Sequence, residues 1–587
     1  MADESASARI VPAPPGPQGE ERSDGWGFRD SGFRIDAEGR VEFTGSRYAL
    51  SGKKIPGLLP WAEGILGLPL DPRDRHEPRG EARVPPRVAN AAFERGAVAR
   101  LGAARVSTDP QLRLRHGHGH TQEDVWDARW GAFARVPDLV VWPASEEEVR
   151  DLVALARRER VCLVPFGGGT NVTDALRCRE DERRAIASLD LRRMNRVRWI
   201  DPRNGTACIE AGATGLEIEE QLGRHGWTLG HEPDSAELST LGGWIATNAS
   251  GMKKNRYGNI EDLVLSISAV TPEGGALERP ALPRESVGGD PARWLIGSEG
   301  RLGVVTSAVV RVFPRPAVRR FGSVLFRSFE QGLAFLYDVE RSGAKPASVR
   351  LMDNLQFQFG QALKPEKTRL AAWKSALEKA WVLRVRGFDA GRMVACTLLF
   401  EGGREEVAAQ ERAVRALARR HGGMAAGGEN GERGYQLTFA IAYIRDFMLE
   451  HWVIAESFET SVAWSEAQAV CANVKQRVFQ EHAKRGLPGR PFISVRVTQL
   501  YATGVCLYFY LAFHYKGVEA PSAVFAELER AARDEILASG GSLSHHHGIG
   551  KLRAPFLPRV FSPAALDWRA RLKRAVDPDD VLGCGNG

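Results

Sequence analysis

The chain reads Val164-Pro-Phe-Gly-Gly-Gly-Thr170 directly after the apolar run Val161-Cys-Leu-Val164. The apolar run predicts a buried strand, and the three glycines indicate a sharp turn where that strand ends. Because glycine has no Cβ atom, successive backbone N–H groups in such a turn can converge on an anion such as a pyrophosphate. The pattern is neither GxGxxG nor a Walker loop, which argues against Rossmann and P-loop folds. By itself, a glycine-rich turn is more often only a turn.

Two further segments have a similar composition. They read Pro233-Asp-Ser-Ala-Glu-Leu-Ser-Thr-Leu-Gly-Gly243, continued by Ala246-Thr-Asn-Ala-Ser-Gly251, and Gly297-Ser-Glu-Gly-Arg-Leu-Gly-Val304. The small and hydroxylated residues of the first segment can lie flat against a planar ring while their backbone groups bond its polar edge. The second segment leads into another predicted strand, Val304–Val312.

Helices and strands alternate around these segments. Ser145 and Glu148 form a capping-box pattern before apolar residues at helical spacing, and strands are predicted at Ser188–Leu191 and Ala207–Glu210. This alternation is typical of α/β or α+β folds. The composition changes near Pro314 and Pro316. Beyond that break a second domain is predicted, with helices over 366–384, 404–421 and 519–539 and strands at Val394–Phe400 and Gly504–Tyr515.

The composition argues against several classes of protein. With 587 residues, the chain is long enough for two or three domains. Its net charge is +7, but it has no compact Lys/Arg block interleaved with aromatic residues, so we expect no nucleic-acid partner. The seven cysteines are scattered without a CxxC pair, which indicates a reduced compartment and argues against a disulfide framework or a cysteine zinc site. The chain has neither a secretory signal nor an apolar run of about 18 residues.

One short segment has two interpretations. Residues 53–70 predict a helix with Trp61 and several aliphatic residues on roughly one side. This helix either packs on its domain or dips into a membrane interface. The neighbouring Lys53 and Lys54 favour the membrane only slightly.

In their order along the chain, the three glycine-rich segments resemble the FAD-binding domain of the vanillyl-alcohol oxidase family. The resemblance implies an α+β fold, with a two-subdomain FAD-binding domain and an α+β cap domain for the substrate. It also implies that the first turn holds the pyrophosphate and that the other segments border the isoalloxazine and adenosine. The first turn contains no His or Cys, so a non-covalent FAD is expected. The residues expected to bind it are Pro165, Phe166, Gly167, Gly168, Gly169, Thr170, Pro233, Asp234, Ser235, Ser239, Thr240, Gly242, Ala246, Thr247, Asn248, Ala249, Ser298, Glu299, Gly300, Leu302, Gly303 and Val304.

Further segments narrow the resemblance to the alkylglycerone-phosphate synthase (alkyl-dihydroxyacetone-phosphate synthase) family, over about residues 40 to 580. They read Ser250-Gly-Met-Lys-Lys-Asn-Arg-Tyr-Gly-Asn-Ile-Glu-Asp-Leu263, Arg350-Leu-Met-Asp-Asn354, Ala442-Tyr-Ile-Arg-Asp446, Glu456-Ser-Phe-Glu-Thr460 and Gly541-Ser-Leu-Ser-His-His-His-Gly-Ile-Gly-Lys551. That family exchanges the acyl chain of acyl-dihydroxyacetone phosphate for a long-chain fatty alcohol, which forms the ether bond of ether lipids. The reaction has no net redox change, and the flavin N5 is a covalent partner of the substrate C1.

The resemblance identifies candidate catalytic residues. Tyr508 matches the family's catalytic tyrosine, which removes and returns a proton on C1. A phenol needs neighbouring positive charge to act as a base near neutral pH. His545, His546 and His547 match a required histidine cluster and are the expected neighbours. From the residues alone, Tyr508 would be one of several aromatics in a β-rich core.

Two arginines are candidate substrate-binding residues. Arg445 matches the family's substrate-binding arginine, and a guanidinium can bond a phosphate in a bidentate manner. The alternative for Arg445 is a salt bridge with Asp446 or Glu450. Arg350 matches another important arginine, whose role is either flavin support or phosphate binding.

The histidines also raise the question of a metal. His116, His118 and His120 alternate, so on a strand they would share one face as ligands. The family has a similar His-Gly-His segment without a metal requirement, and consecutive histidines such as His545 to His547 point in different directions. We therefore expect no metal site.

The sequence departs from the family pattern in two places. It has Asn171-Val-Thr-Asp174 after the first turn, where the family usually has Ser-Val-Ser, and it ends in Gly583-Cys-Gly-Asn-Gly587 rather than in Gly-Asn-Arg-Asn and two leucines. If that tail shapes the active site, the rate or lipid specificity differs. No clear peroxisomal signal is present.

These observations predict the organisation and setting of the protein. The predicted parts are a disordered tail over 1–40, a helical and irregular segment with a membrane-contact helix over 41–130, an FAD-binding domain over 131–315, a cap domain over 316–560 and a C-terminal segment over 561–587 that returns to the FAD domain. A homodimer with peripheral membrane contact is expected. The expected location is cytoplasmic or membrane-peripheral in a bacterium and peroxisomal in a eukaryote.

Two other functions stay open on the sequence. An FAD-dependent 2-hydroxy-acid dehydrogenase or oxidase would share the flavin segments, but it would not require the histidine triplet together with Arg445 and Tyr508. A non-catalytic flavin-binding or scaffold protein would not need intact acid/base residues.

Overall fold

The chain divides into two units that both mix helices and strands. The structure is a computed structural model and describes residues 9–10, 21–80, 82–366, 380–583 and 585–586. Unit 1 comprises residues 1–18, 80–315 and 546–587, and unit 2 comprises residues 19–79 and 316–545. The predicted α+β class is confirmed.

Unit 1 contains two main sheets. The smaller sheet has the strand order Val106–Ser107, Leu139–Val141, Ile186–Asp190 and Cys162–Phe166, and its last three strands are parallel. The larger sheet is antiparallel, in the order Arg9–Ile10, Val197–Asp201, Thr206–Glu210, Val304–Arg311, Val264–Val270 and Ala276–Leu277. A separate pair joins Trp227–Thr228 to Phe313–Pro314.

Several helices of unit 1 bury apolar residues in the core that its two main sheets share. Ser145 accepts a hydrogen bond from the N–H of Glu148 at the start of helix Glu146–Glu159, as the capping pattern predicts. Val149, Leu152, Val153 and Ala156 of that helix are buried in the same core as both sheets. The other helical segments are Ala91–Leu101, Ala103–Arg105, Pro110–Arg115, Gln122–Arg129, Gly215–Gly223, Leu241–Thr247, Lys254–Tyr257, Ile260–Leu263, Pro291–Leu295, Ala554–Phe556, Leu557–Val560 and Pro563–Val576.

Unit 2 is built on a seven-stranded antiparallel sheet. Its order is Met424–Ala425, Val318–Phe326, Val394–Gly402, Ser348–Met352, Phe492–Tyr501, Gly504–His514 and Val453–Ala463. A small sheet joins Phe33–Ile35, Val41–Phe43 and Lys53–Lys54. The helical segments are Leu58–Leu66, Phe329–Ser342, Asn354–Ala362, Trp381–Val385, Arg404–Arg420, Gly428–Gln436, Leu437–Ala440, Ile441–Glu450, Ala467–Lys484 and Pro521–Ala538.

Two predicted segments differ from the structure where it describes them. Residues 21–40, placed by the sequence in a disordered tail, are ordered because Trp26 and Phe28 are buried and Phe33–Ile35 pairs as a strand. Most of residues 1–20 lie outside the described part. Most of the predicted helix over 366–384 also lies outside it, and Trp381–Val385 forms one π-helical turn.

The segment with two interpretations folds as helix Leu58–Leu66. Leu58, Leu59 and Leu66 are buried, and the Trp61 ring lies 4.9 Å from the ring of Phe359 within unit 2. Its apolar side is therefore inside the protein. In the described residues, we find no helix with the length and apolar composition that a bilayer crossing requires.

Candidate functional site

A cleft in unit 1 brings the three glycine-rich segments together. Eighteen of the residues predicted to bind FAD lie in its wall: Pro165, Phe166, Gly167, Gly168, Gly169, Thr170, Pro233, Ser235, Ser239, Thr240, Gly242, Ala246, Thr247, Ala249, Ser298, Glu299, Gly300 and Gly303. The other four, Asp234, Asn248, Leu302 and Val304, are not among the described residues that line it. Asn248 instead ends helix Leu241–Thr247 in a left-handed conformation.

The first glycine turn packs in close contact with the second glycine-rich segment. A Cβ atom on Gly168 would lie 1.9 Å from the carbonyl oxygen of Leu238. Gly169 has a φ of +66°, and a Cβ atom there would lie 2.4 Å from Nη1 of Arg115. The glycines are therefore required by neighbouring protein atoms, whatever anion the turn binds.

Arg115 contacts the first glycine turn, and no sequence pattern pointed to it. Its side chain is buried, and Nη2 donates a hydrogen bond of 2.9 Å to the carbonyl oxygen of Gly168. Its guanidinium lies 5.6 Å from the centre of the Phe166 ring. The buried Arg115 guanidinium thus stabilises the turn by bonding the carbonyl oxygen of Gly168. No local signal identifies it, because Arg115 ends a helix 50 residues before the turn.

Helix Leu241–Thr247 connects the second segment to the third. The N–H of Gly297 donates to the carbonyl oxygen of Ile245 at 2.9 Å, and the N–H of Glu299 donates to that of Ala246 at 2.8 Å. Residues of all three segments line the same cleft, as the resemblance implied.

The Glu299 side chain holds the loop that carries the histidines. Its carboxylate accepts hydrogen bonds from the N–H groups of Ile549 at 2.8 Å and of Gly550 at 2.8 and 3.0 Å. Burial raises the pKa of Glu299. His546 and His547 of this loop lie in the cleft wall, with their rings 4.5 Å apart. Glu299 thus positions histidines, although the sequence analysis placed it only among the cofactor residues.

The C-terminal tail also reaches the cleft. Asn586 is buried in the cleft wall, and its Nδ2 donates to the carbonyl oxygen of Glu299 at 3.0 Å. Lys551 donates to Oδ1 of Asn586 at 2.8 Å and to the carbonyl oxygen of Asp174 at 3.1 Å. Cys584 and Gly587 lie outside the described residues, but Asn586 shows that this altered tail borders the site.

His231 is a second residue that the sequence analysis missed. It is buried, and its ring lies 4.9 Å from that of the cleft residue Trp244. Burial, followed by the nearby His546 and Lys253, lowers the pKa of His231 to about 3. The imidazole is therefore neutral at physiological pH.

The alternating histidines do not share a strand face, so that interpretation is wrong. His116 caps helix Pro110–Arg115, and its Nε2 lies 2.9 Å from Oδ2 of Asp190. His118 follows in a turn and stacks on Phe133. The helix ends at Arg115, and the planes of the His118 and His120 rings are inclined at 86° to each other.

Tyr508 lies on strand Gly504–His514 of unit 2, beside an arginine. The guanidinium of Arg496 lies 4.7 Å from the centre of its ring, and the two residues are directly paired across neighbouring strands. The Tyr508 hydroxyl is 3.0 Å from Oγ of Ser457. Arg496 is buried, and it supplies within unit 2 the positive charge that the sequence analysis expected from histidines.

Arg445 is connected to Tyr508 through two residues. Nη1 of Arg445 donates to Glu456 at 3.1 Å, and the N–H of Ser457 donates to Oε1 of Glu456 at 2.8 Å. Arg445 also pairs with Asp446 at 2.9 Å. The alternative salt bridge is therefore present with Asp446, and the second carboxylate is Glu456 rather than Glu450. Burial raises the pKa of Glu456, and Arg445 opposes that rise.

The remaining candidates have separate partners in unit 2. Nε2 of His545 lies 2.6 Å from the hydroxyl of Tyr501, and the N–H of His545 donates to Glu459 at 2.8 Å. Arg350 is buried and donates to Thr438. The histidine triplet is thus divided, because the chain passes from unit 2 to unit 1 after His545.

Comparisons with known proteins cover both units. Residues 137–278 match a family model described as an FAD binding domain, and residues 315–586 match the C-terminal domain of FAD linked oxidases. An alkyldihydroxyacetonephosphate synthase of Caenorhabditis elegans is 42% identical over 96% of this chain and 94% of that protein. One of Dictyostelium discoideum is 34% identical over 81% of this chain and 77% of that protein. A solved alkyldihydroxyacetonephosphate synthase structure is similar with a TM-score of 0.83 at 30% identity, covering 96% of this chain and 98% of that one.

Gly168→Ala should lower FAD affinity about tenfold, since overpacking in a tight contact costs roughly 1–3 kcal/mol. The added Cβ meets a backbone carbonyl, which cannot rotate away as a side chain would. FAD content and a fluorescence titration of the apoprotein measure the effect. Gly64→Ala is the control, because a Cβ atom on Gly64 meets nothing within 4 Å. Equal FAD binding by Gly168→Ala and wild type would contradict the steric argument.

Asp174→Asn should remove a pH dependence of stability. Burial, followed by Asp124, raises the pKa of Asp174 from 3.8 to about 6. The protonated carboxyl therefore contributes stability that is complete below about pH 4 and is lost as pH rises through 6. Relative to Asp174→Asn, the wild-type free energy of unfolding should fall by roughly 2 kcal/mol over this range.

Urea unfolding at pH 4.5, 5.5 and 7 measures this difference for the Asp174 variant. Asn suits the position because Asp174 has a φ of 57°, which Asn tolerates. Parallel pH profiles for the two proteins would show that Asp174 titrates normally.

Proposed function

The chain belongs to the alkyldihydroxyacetonephosphate synthase family, and we infer that it is a transferase that exchanges the acyl chain of acyl-dihydroxyacetone phosphate for a fatty alcohol. The likeness to the Caenorhabditis elegans synthase, over 96% of this chain, carries this conclusion, because it includes both units. The products are alkyl-dihydroxyacetone phosphate, which contains the ether bond, and a free fatty acid. The 2-hydroxy-acid oxidase alternative is not supported.

The cleft of unit 1 suits a non-covalent FAD. Its wall offers backbone at Gly167–Gly169 and hydroxyls at Thr170, Ser239 and Thr240, which are groups that bond a pyrophosphate and the polar edge of a ring. A side chain at Gly168 would collide with the carbonyl oxygen of Leu238. The position therefore requires glycine, which has no side chain to cover the backbone N–H groups of the turn. When bound, FAD supplies the electron-poor ring that allows exchange at C1 without net oxidation.

Tyr508 is the residue we propose to move the proton on C1. General acid/base work by a phenol calls for a neighbouring cation, and the Arg496 guanidinium lies 4.7 Å from the centre of the Tyr508 ring. Ser457 bonds the hydroxyl at 3.0 Å and holds its direction. The proton removed from C1 returns to C1 after the alcohol oxygen has replaced the acyl oxygen.

Arg445 is the residue we propose to bind the substrate phosphate. Two carboxylates already neutralise it, so a phosphate must compete with Asp446 and Glu456. Because burial favours the neutral form of Glu456, that acid can take up a proton when a phosphate arrives. Arg445 then keeps a guanidinium edge for a bidentate contact. Arg350 remains a candidate for either phosphate binding or flavin support.

His546 and His547 are proposed catalytic residues because they lie in the wall of the FAD cleft. His545 is proposed to act through Tyr501, its partner at 2.6 Å. The homodimer, peripheral membrane contact and, in a eukaryotic cell, peroxisomal location are implied by the resemblance and remain predictions. The domain boundaries also remain predictions.

The exchange reaction tests the function directly. Purified FAD-loaded protein should convert acyl-dihydroxyacetone phosphate and a labelled fatty alcohol to a labelled alkyl ketone phosphate without any electron acceptor. Thin-layer chromatography of the labelled product measures the reaction, and heat-inactivated protein is the control. Turnover that requires an acceptor and a 2-hydroxy acid would overturn the proposal.

Tyr508→Phe should reduce exchange about 100-fold or more, because a positioned acid/base contributes about 10²–10⁴-fold. FAD content should not change, since the cleft residues belong to unit 1 and Tyr508 to unit 2. Tyr337→Phe is the matched control, because the Tyr337 side chain is 39% exposed on helix Phe329–Ser342. Retained exchange in Tyr508→Phe would remove Tyr508 from the mechanism.

A further inference from the structure

The loop Arg22–Phe28 is an ordered part of unit 2. The N–H of Arg22 donates a hydrogen bond of 2.8 Å to the carbonyl oxygen of Gly27, which closes the loop. The side chains of Trp26 and Phe28 are buried. Burial of large aromatic rings stabilises an arrangement in which they pack against a fixed surface, so the loop is held against another part of the unit.

Helix Ile441–Glu450 is the surface on which the loop lies. The N–H of Phe28 donates to the hydroxyl of Tyr443 at 3.0 Å. The N–H of Trp26 donates to Oδ2 of Asp446 at 2.5 Å. Tyr443 and Asp446 are three residues apart and therefore lie on the same side of the helix. Two backbone groups of the loop thus bond one side of the helix that carries the proposed phosphate ligand.

Asp446 is shared between this loop and Arg445. Its Oδ1 accepts hydrogen bonds from Nε of Arg445 at 3.0 Å and from Nη2 at 2.9 Å, while its Oδ2 accepts the bond from Trp26. Asp446 therefore meets the guanidinium through Oδ1. A carboxylate that turns both oxygens toward a guanidinium forms two parallel hydrogen bonds, which is the stronger arrangement. The bond from Trp26 opposes that rotation of the carboxylate.

We propose that the loop Arg22–Phe28 is a positioning element of the phosphate site, because its hold on Oδ2 keeps Asp446 from closing a bidentate pair with Arg445. This inference rests on the proposed role of Arg445 in binding the substrate phosphate. A phosphate binds a guanidinium by the same bidentate contact that a carboxylate uses, so the two compete for the same donors. A carboxylate that is held through one oxygen is the weaker competitor. The loop thus raises the affinity for the phosphate-bearing substrate through Asp446.

Gly27 allows the loop to approach the helix. It has a φ of +77°, and a Cβ atom there would lie 1.9 Å from the hydroxyl oxygen of Tyr443 and 2.4 Å from its Cζ. The Tyr443 ring is held in place, because it is buried and packs edge-on against the rings of Phe43 and Tyr48, both at 5.5 Å. A side chain at Gly27 therefore lifts the loop from the helix, and the N–H of Trp26 moves with it.

The alternative is a loop that only covers the helix and stabilises unit 2. A loop of that kind would change the free energy of unfolding and the amount of folded protein, but the KM values of the folded molecules would stay the same. A positioning role instead changes the KM for acyl-dihydroxyacetone phosphate and leaves the KM for the fatty alcohol unchanged, because only the first substrate carries a phosphate. The two substrates therefore provide an internal control.

Steady-state exchange kinetics of full-length, FAD-loaded protein test the inference. Gly27→Ala should raise the KM for acyl-dihydroxyacetone phosphate about tenfold, because the lifted loop releases Oδ2 of Asp446. The KM for the fatty alcohol and the FAD content should not change, since the FAD cleft belongs to unit 1. Gly39→Ala is the matched control, because Gly39 also has a positive φ, +80°, but a Cβ atom there meets nothing within 4 Å.

Two further variants extend the test. Tyr443→Phe keeps the ring and removes only the hydroxyl that the N–H of Phe28 bonds, so it should raise the same KM about threefold. This milder variant decides the question if Gly27→Ala does not fold. Adding Asp446→Asn to Gly27→Ala should bring the KM back to within about threefold of wild type, because a neutral amide holds a guanidinium less strongly than a carboxylate does.

Three outcomes would overturn the inference. The first is a wild-type KM for acyl-dihydroxyacetone phosphate in both Gly27→Ala and Tyr443→Phe. The second is an equal rise in Gly39→Ala, which would identify general backbone strain as the cause. The third is a KM that Asp446→Asn does not restore.

Arg445→Lys separates failure of this inference from failure of the proposed function. Lysine keeps the charge but lacks the paired donors of a guanidinium. An unchanged KM for acyl-dihydroxyacetone phosphate in Arg445→Lys would remove Arg445 from phosphate binding, and the role of the loop with it. A raised KM in Arg445→Lys together with a wild-type KM in Gly27→Ala would overturn the role of the loop alone.

Discussion

The contact between Gly168 and the carbonyl oxygen of Leu238 is the constraint on which the cleft of unit 1 depends. Because Gly168 has no Cβ atom, the turn after strand Cys162–Phe166 can lie directly on the second glycine-rich segment. Any side chain at this position would collide with that segment. Helix Leu241–Thr247 then starts beside the turn and bonds Gly297 and Glu299 at its other end. One steric condition thus places three segments, which are far apart in sequence, in a single wall.

The same wall is tied to the C-terminal part of the chain by a buried carboxylate. Glu299 accepts backbone hydrogen bonds from Ile549 and Gly550, and this arrangement places His546 and His547 in the cleft. A buried carboxylate is costly unless its oxygens are bonded, so the loop and the acid stabilise each other. The hydrogen bonds of Glu299 therefore hold the histidine loop against the wall of the cofactor cleft.

In unit 2, a chain of hydrogen bonds connects the charged residues Arg445 and Glu456 to Tyr508. Arg445, Glu456, Ser457 and Tyr508 are connected in that order, and Arg496 covers the tyrosine ring. The family resemblance points to Arg445 and Tyr508, but no local pattern in the sequence identifies Arg496 and Glu456 as their partners. Strand register decides these pairings, and register depends on packing across the sheet rather than on the residues of one strand. His116, His118 and His120 do not lie on a strand, so they lack the shared face that a strand would give them.

Local sequence by itself determined the elements and the cofactor segments. Helix Glu146–Glu159 and strands such as Cys162–Phe166 follow from periodicity and capping, which act over a few residues, and the glycine turns follow from the missing Cβ. Only the tertiary structure decided what each polar or apolar side chain contacts. Glu299 bonds a loop 250 residues away, helix Leu58–Leu66 buries its apolar side, and Trp568 stays at the surface. The physical reason is that burial and long-range pairing depend on which elements pack together, and no short stretch of sequence contains that information.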